Sequence, residues 1–225
     1  MGGAHGHGHA LYYATDSPLH RAPGQVKIVA LLLFMIIVVA TPSHWYAAFA
    51  GYFALVLVAV GVSRVPPGYL LPRMMVEVPF VVFALLLPFV ALGPRTEVLG
   101  VTVSAPGLLA ASTLLIKATL GVIGGLTLGA TTEPHEMVRA LQRLRMPSTM
   151  VEIMSFMVRY LEVVGDDLRR QQIALASRGF SARDPRQWPV LARTAGALFI
   201  RCYERGERVH LAMLSRGYDG RMPPT

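Results

Sequence analysis

The sequence contains a single cysteine, Cys202, among its 225 residues. One thiol excludes an internal disulfide and any metal or redox site built from a cysteine pair. The G-x-x-x-x-G-K-[ST] pattern that cradles nucleotide phosphates is also missing, so we do not expect the chain to hydrolyse ATP itself. Apart from Glu77 near a span start and the single Lys117, its apolar tracts offer no paired acids, metal-binding histidine pair or activated serine, which disfavours an intramembrane enzyme.

Charge is scarce over most of the chain. Only 15% of the residues are charged, whereas 53% are hydrophobic. No Lys, Arg, Asp or Glu occurs in 28–63 or 78–94, and 98–132 contains only Lys117. About 20 apolar residues suffice to cross the hydrocarbon core of a bilayer. A soluble domain of this size could not bury all three tracts, so the sequence predicts an all-α, polytopic membrane protein in contact with lipid.

We predict three regions along the chain. Residues 1–25 form a polar, histidine-rich leader, 26–131 a transmembrane helical domain, and 132–225 a cytoplasmic or interfacial domain of long amphipathic coupling helices. The transmembrane domain is expected to contain about four spans, at 26–41, 44–62, 74–92 and about 106–130. Lys27, at the start of the first span, is expected to reach the membrane interface.

Basic residues indicate the orientation. Arg21 and Lys27 precede the first span, and many arginines follow the fourth. Arg64 and Arg73 flank the connection between the second and third spans. Because such residues concentrate on the cytoplasmic side, we expect both termini in the cytoplasm. Basic residues on the cytoplasmic side account for the net charge of +8. No nucleic-acid-binding motif supports a nucleic acid partner.

The predicted fourth span carries glycines at a spacing of four residues, namely Gly121, Gly125 and Gly129. This spacing places them on one helix face, where another helix can approach closely, so we interpret them as packing residues. Lys117 lies in the same span, and a lysine at the bilayer centre costs about 2.5–3.5 kcal/mol. We therefore expect Lys117 to face the protein interior or a polar cavity, or to pair with Glu77. It is a possible intramembrane polar site.

Three histidines, His5, His7 and His9, alternate with glycine in the leader. Neutral imidazoles bind Co, Ni, Cu and Zn, which makes them metal-binding candidates. The alternative, which we favour, is a solvated tail on the cytoplasmic side. No metal site and no cofactor is predicted.

A short internal repeat occurs near the C-terminus. ALASRGF at 174–180 reappears as AMLSRGY at 212–218, with four of seven positions identical and an aromatic residue last. Each copy ends an amphipathic, arginine-rich helix. Gly179 and Gly217 can adopt the left-handed conformation that ends a helix, leaving Arg178 and Arg216 in the last turn. Two ordinary helix caps would explain each copy alone, but the duplication favours a function.

Arginine at a rigid helix end suits bidentate recognition of a carboxylate. A charge-assisted hydrogen bond contributes on the order of 1.5–3 kcal/mol. Two such ends predict a device that docks onto a partner with paired or symmetric acidic grooves. A membrane scaffold for some other acidic partner is an alternative.

The duplicated arginine–glycine helix ends behind a multi-span apolar half resemble the transmembrane (T) component of energy-coupling factor transporters. The stretch ALFIRCYERGERVHLAMLSRGYDG at 197–220 is most similar to the cobalt-transport branch, the CbiQ type. Thr132-Glu-Pro, Ala140-Leu and Met146-Pro147 share this resemblance. It covers nearly the whole chain and is most specific from about 131 to 220.

The resemblance implies a non-catalytic subunit in a bacterial or archaeal cell membrane, between a substrate-binding membrane subunit and two ABC-type ATPase subunits. The positions matching the family's two Ala-Arg-Gly motifs are Ser177, Arg178, Gly179, Ser215, Arg216 and Gly217. Arg178 and Arg216 would each enter a groove on one ATPase. Both motifs read Ser-Arg-Gly here, and serine is small enough for the alanine position. Cobalt is the implied cargo, with nickel or a vitamin as alternatives. Another subunit chooses the substrate, so no substrate pocket is expected in this chain.

Overall fold

A computed structural model of the protein describes residues 12–13, 15–91, 94–98, 101–180 and 187–218. The chain divides into two compact units, Met1–Ala140 and Leu141–Thr225, which we describe separately. The structure is helical apart from one short hairpin, which confirms the predicted all-α class for the rest of the described chain. His5, His7 and His9 lie outside the described residues.

The first unit contains the apolar helices and two polar ones. In chain order the helices are α1 Pro18–Arg21, α2 Gly24–Ala40, α3 Tyr46–Ser63, α4 Pro67–Leu70, a 3-10 helix Leu71–Glu77, α5 Val78–Val90, α6 Ala105–Thr131 and α7 Pro134–Arg143, whose last turn extends past the end of the unit at Ala140. Among the described residues, three helical segments are long and apolar enough to cross a membrane: Tyr46–Ser63, Pro67–Val90 and Ala105–Thr131. The apolar helix α2 is shorter, at 17 residues. Four spans therefore stay a prediction.

Prolines set several of the helix boundaries. Thr41, which precedes Pro42, has extended backbone angles (φ −70°, ψ 126°) and ends α2, because a residue before proline avoids the helical region. Pro67 begins α4, so the third helical segment starts earlier than the expected 74. Its central part, Leu71–Glu77, is a 3-10 helix that contains Pro72 and runs directly into α5. Proline has no amide hydrogen for the α-helical ladder, which favours such a local change.

The polar loop expected between the third and fourth spans contains a short antiparallel hairpin. Strand β1 (Arg95–Val98) pairs with β2 (Val101–Ser104), with Arg95 opposite Ser104. The side chain of Ser104 then caps α6 by accepting the amide hydrogen of Gly107. The sequence analysis did not predict this hairpin, because strands of four residues are too short to show a clear pattern.

The interior of the first unit lies where α2, α3 and α6 meet. One buried cluster consists of Val38, Phe49, Val56 and Leu120. A second cluster, Val65, Leu70 and Ala130, lies near the C-terminal end of α6. Large apolar side chains also cover the outer surfaces of α2, α3 and α5. Such an exterior suits contact with lipid chains rather than with water.

Close helix packing involves some of the predicted glycines. A Cβ atom at Gly121 would lie 2.8 Å from the Cε of Met35 on α2, and one at Gly124 would lie 2.8 Å from a methyl of Leu31. The sequence analysis did not select Gly124. Gly125 is exposed with open space beside it, so its packing role, like that of Gly129, stays a prediction.

The second unit consists of two long helices, α8 (Ser148–Ala176) and α9 (Trp188–Leu214). Asp167 of α8 lies 3.5 Å from the guanidinium of Arg205 on α9. Near the other end of α8, the hydroxyl of Tyr218 donates a 2.7 Å hydrogen bond to Glu152. Glu152, near the start of α8, contacts Tyr218, just after the end of α9, whereas Asp167, later in α8, contacts Arg205, earlier in α9. The two helices are therefore antiparallel.

Candidate docking site at two helix ends

Both long helices end in the same hydrogen-bonded cap. After α8, the amides of Phe180 and Gly179 donate to the carbonyls of Leu175 (3.1 Å) and Ala176 (3.0 Å). After α9, the amides of Tyr218 and Gly217 donate to Met213 (3.0 Å) and Leu214 (3.0 Å). These paired bonds define a Schellman motif.

The caps depend on glycine in the expected left-handed conformation. The φ angles are 75° at Gly179 and 84° at Gly217. Residues with a Cβ atom pay a steric penalty in this region. No other atoms crowd either glycine, so backbone conformation alone selects glycine here.

The serine before each arginine supports the last turn. Ser177 Oγ donates to the carbonyl of Ala174 (2.9 Å), and Ser215 Oγ donates to the carbonyl of Ala212 (3.0 Å). Each hydroxyl is therefore engaged within its own helix. The arginine that follows is left to act as the exposed group of the motif.

Arg178 and Arg216 are both exposed. Among the described residues, neither guanidinium has a hydrogen bond or an ion pair. Each lies at a helix C-terminus, where carbonyl dipoles favour a positive charge. The arrangement can present two cationic forks to carboxylates of a partner.

The antiparallel pairing separates the two ends. Tyr218 contacts Glu152 near the start of α8, so Arg216 lies at that end of the pair. Arg178 follows Glu152 by 26 residues, which corresponds to about 39 Å along a helix at 1.5 Å per residue. The two forks therefore cannot grip one small ligand together, but they can engage two separate sites on a large partner.

An ionic cluster joins the helices between these ends. Asp167 lies 2.8 Å from Arg170 within α8 and 3.5 Å from Arg205 on α9. The hydrogen bond from Arg170 holds the pKa of Asp167 below its ordinary value, and the charges of Arg170 and Arg205 add to this effect. The sequence analysis did not identify this cluster, because its pairing depends on how α8 and α9 meet.

Lys117, the possible intramembrane polar site, is half-buried, and its ammonium binds main-chain carbonyls. Its Nζ donates to the carbonyls of Val39 (2.8 Å) and Thr41 (3.0 Å) at the C-terminal end of α2. Glu77 instead accepts a hydrogen bond from the hydroxyl of Thr119. The suggested pairing of Lys117 with Glu77 is thus replaced by a cap on a helix end.

Lys27 differs from the expectation that it reaches the membrane interface. Its side chain is only 6% exposed. Its Nζ donates to the carbonyl of Thr131 at 3.0 Å and lies 3.8 Å from Glu136 Oε1. The correction has a physical reason: an ammonium that finds a carbonyl and a carboxylate inside the protein need not extend to water.

Histidine chemistry is limited in the described part of the chain. His20 is held by hydrogen bonds to Ser17 Oγ (2.7 Å) and to the carbonyl of Tyr13 (3.0 Å). Over the described ranges, no group of three or more His, Cys, Asp or Glu side chains could hold a metal ion.

A family model for CbiQ, described as a cobalt transport protein, matches residues 15–225. An uncharacterised protein of Methanocaldococcus jannaschii is 32% identical over 45% of this chain and 38% of its own length. The energy-coupling factor transporter transmembrane protein EcfT of Staphylococcus aureus is 24% identical over 95% of this chain and 84% of its own length. A putative fused cobalt transport protein, CbiMQ, of Methanocorpusculum labreanum is 26% identical over 93% of this chain and 36% of its own length.

Proposed function

Since this chain belongs to the CbiQ family of cobalt transport proteins, we propose that it is the non-catalytic transmembrane coupling subunit of an energy-coupling factor importer. The observation that carries the proposal is the pair of identical helix caps that expose Arg178 and Arg216. The subunit passes the motion of ATP-hydrolysing partners to a substrate-binding membrane subunit. Similarity to proteins named as EcfT supports this role.

Each arginine docks into an acidic groove of one ABC-type ATPase subunit. Two like subunits present the same groove twice, and the chain presents the same motif twice, about 39 Å apart along α8. Rigid caps reduce the entropy lost when each guanidinium is fixed in a groove. The full site on each side comprises the Ser-Arg-Gly triplet, at 177–179 and 215–217.

The first unit supplies the membrane part of the importer. Its outer apolar side chains suit lipid, and the helix α2 serves as a fourth span, since 17 residues reach the lower end of the length that crosses a bilayer. The basic residues near α1 and α4 support an orientation with both termini and the long helices α8 and α9 in the cytoplasm.

Cobalt ion is the proposed cargo. The CbiQ family match and the similarity to a fused cobalt transport protein support this choice over nickel or a vitamin. The cargo is selected by the substrate-binding subunit, so this chain contributes coupling rather than a metal site.

The test reverses both charges, in an Arg178→Glu, Arg216→Glu double variant. We expect it to insert in the membrane but to lose its ATPase partners on purification and to lose ATP-driven Co²⁺ uptake. A matched double variant, Arg159→Glu, Arg193→Glu, makes the same charge change at exposed arginines within α8 and α9 and should retain the partners. Normal uptake by the first variant would contradict the proposal.

A further inference from the structure

Lys27 joins three helices at one end of the first unit. It lies in the first turn of α2, donates to the last residue of α6, and faces Glu136 in the first turn of α7. Thr131 is 104 residues away from Lys27 in sequence. The carbonyls of a helix's last turn have no partner within the helix, and Lys27 supplies one.

Helix α7 also packs tightly on α2 beside this lysine. A Cβ atom at Gly24 would lie 3.2 Å from the Cβ of Ala140 and 3.2 Å from Glu136 Oε1. Glu136 and Ala140 are one helical turn apart on α7, and Ala140 is buried. Glu136 and Ala140 therefore bring one turn of α7 against Gly24, where a Cβ atom would require its neighbours to shift by a few tenths of an ångström.

The N-terminal segment adds to the same junction. The amide of Tyr13 donates to the carbonyl of Ala130 at 3.0 Å. Burial raises the pKa of Tyr12, and the charges of Glu133 and Glu136 raise it further. The end of α6 is thus held from two sides.

Only Thr132 and Glu133 separate α6 from α7. A link of two residues would let α6 and α7 rotate relative to each other if nothing fixed these helices. Lys27 binds the end of one and the start of the other, and its charge suits both, since it opposes the C-terminal dipole of α6 and the carboxylate of Glu136. The contact therefore sets the angle between the two helices.

We propose that Lys27 is a positioning residue that locks α7 to α2 and α6 as one rigid body, so that motion entering through α7 moves the spans. This inference rests on the proposed coupling function, because it names the contact through which force from the ATPase side enters the membrane helices. Without the lock, the two-residue link absorbs that motion and ATP hydrolysis proceeds without transport.

The first experiment uses the complex purified with its partner subunits and placed in liposomes. In Lys27→Met, we expect Co²⁺ transported per ATP hydrolysed to fall roughly tenfold, within the range typical of coupling between distant sites. ATPase subunits should remain bound, because Arg178 and Arg216 are unchanged. Lys27→Arg, which keeps the donor and the charge, should restore most of the coupling.

Lys117→Met is the matched control. It also removes a lysine that binds main-chain carbonyls, but Lys117 is half-buried where Lys27 is buried, and its carbonyls belong to Val39 and Thr41, at the C-terminal end of α2 opposite Lys27. We expect it to keep the wild-type ratio of Co²⁺ to ATP. An equal loss of coupling in both lysine variants would overturn the specific role of Lys27.

A second experiment tests the rigid body directly. Gly24→Cys and Ala140→Cys are introduced together in a Cys202→Ser background, since their Cβ positions lie close to disulfide range. Oxidation of the double-cysteine protein should leave transport unchanged when Lys27 is retained. When Lys27→Met is added, oxidation should restore coupling, and a reductant should reverse this effect. Inhibition of the Lys27 protein on oxidation would overturn the proposal, because α7 would then need to leave α2 during transport.

The two proposals fail in different ways. If ATPase subunits do not purify with the wild-type chain, the proposed function fails. Disulfide formation between positions 24 and 140 still reports on the lock in that case, since it should be fast with Lys27 and slower in Lys27→Met. Equal rates in the two backgrounds would contradict the lock itself.

Discussion

The two arginine ends have the same local structure but are held differently. Phe180 and Tyr218 follow equivalent Schellman caps, yet only the tyrosine has a hydroxyl, which binds Glu152 at 2.7 Å. The end with Arg216 is thereby tied to the start of α8, whereas the described residues show only the helix cap holding the end with Arg178. The duplicated motif thus supplies two similar docking groups, and the hydroxyl of Tyr218 holds the end with Arg216 more firmly.

The largest effect is expected from replacing the two glycines that cap the helices. Gly179→Val and Gly217→Val each place a β-branched residue at positive φ, which costs at least about 1–2 kcal/mol. The helix end must then change conformation and the arginine moves from its groove. We expect each single variant to weaken ATPase binding, measured by titrating purified subunits against the chain in detergent.

The end with Arg178 should be affected more, because the described residues show no contact there like that between Tyr218 and Glu152. Gly179→Val is therefore expected to weaken binding more than Gly217→Val. As a control, Gly196→Val in the middle of α9, where a Cβ meets open space and φ is not positive, should leave binding nearly unchanged. Equal tolerance at all three glycines would show that the caps do not position the arginines.

An intermediate effect is expected from the tyrosine. Tyr218→Phe removes one hydrogen bond to a carboxylate, worth roughly 1 kcal/mol at a partly exposed site. Affinity for the ATPase at that end should fall a few-fold. Phe180→Tyr is the matched exchange and should not strengthen the other end. A gain of affinity there would mean that the hydroxyl acts on the ATPase rather than on Glu152.

The smallest effect concerns the cluster between the ends. The pKa of Asp167 is below its ordinary value of 3.8, so its ion pairs with Arg170 and Arg205 stabilise the folded protein above that pH. This stabilisation is lost as the pH falls through the lowered pKa. Thermal unfolding of Asp167→Asn should therefore occur below the wild-type temperature at neutral pH, and the difference should vanish in strong acid. A difference that persists there would assign it to packing instead.

Much of the fold could be predicted from the composition of the chain and the positions of its apolar tracts. The apolar tracts predicted the membrane helices, since hydropathy depends on neighbouring residues. The third helical segment began before the expected position because the 3-10 helix continues the segment through Pro72. The β1–β2 hairpin was missed because four-residue strands lack a detectable period.

The candidate site was predictable in part for the same reason. The repeat pointed to Ser177, Arg178 and Gly179 and to their counterparts, and each cap involves residues within one turn. The partner of Tyr218 could not be predicted, because Glu152 lies 66 residues away. A difference between Phe180 and Tyr218 was visible in the sequence, but its meaning required the contact.

The sequence by itself determined a helical membrane protein with two matched arginine ends, because hydropathy and helix capping are local properties. Only the tertiary structure decided where the buried cations are neutralised. Lys27 and Lys117 both lie in apolar helices, yet one binds the α6–α7 junction and the other caps α2. A buried ammonium takes whichever carbonyl or carboxylate the packing of distant segments brings within reach, and no local pattern contains that information.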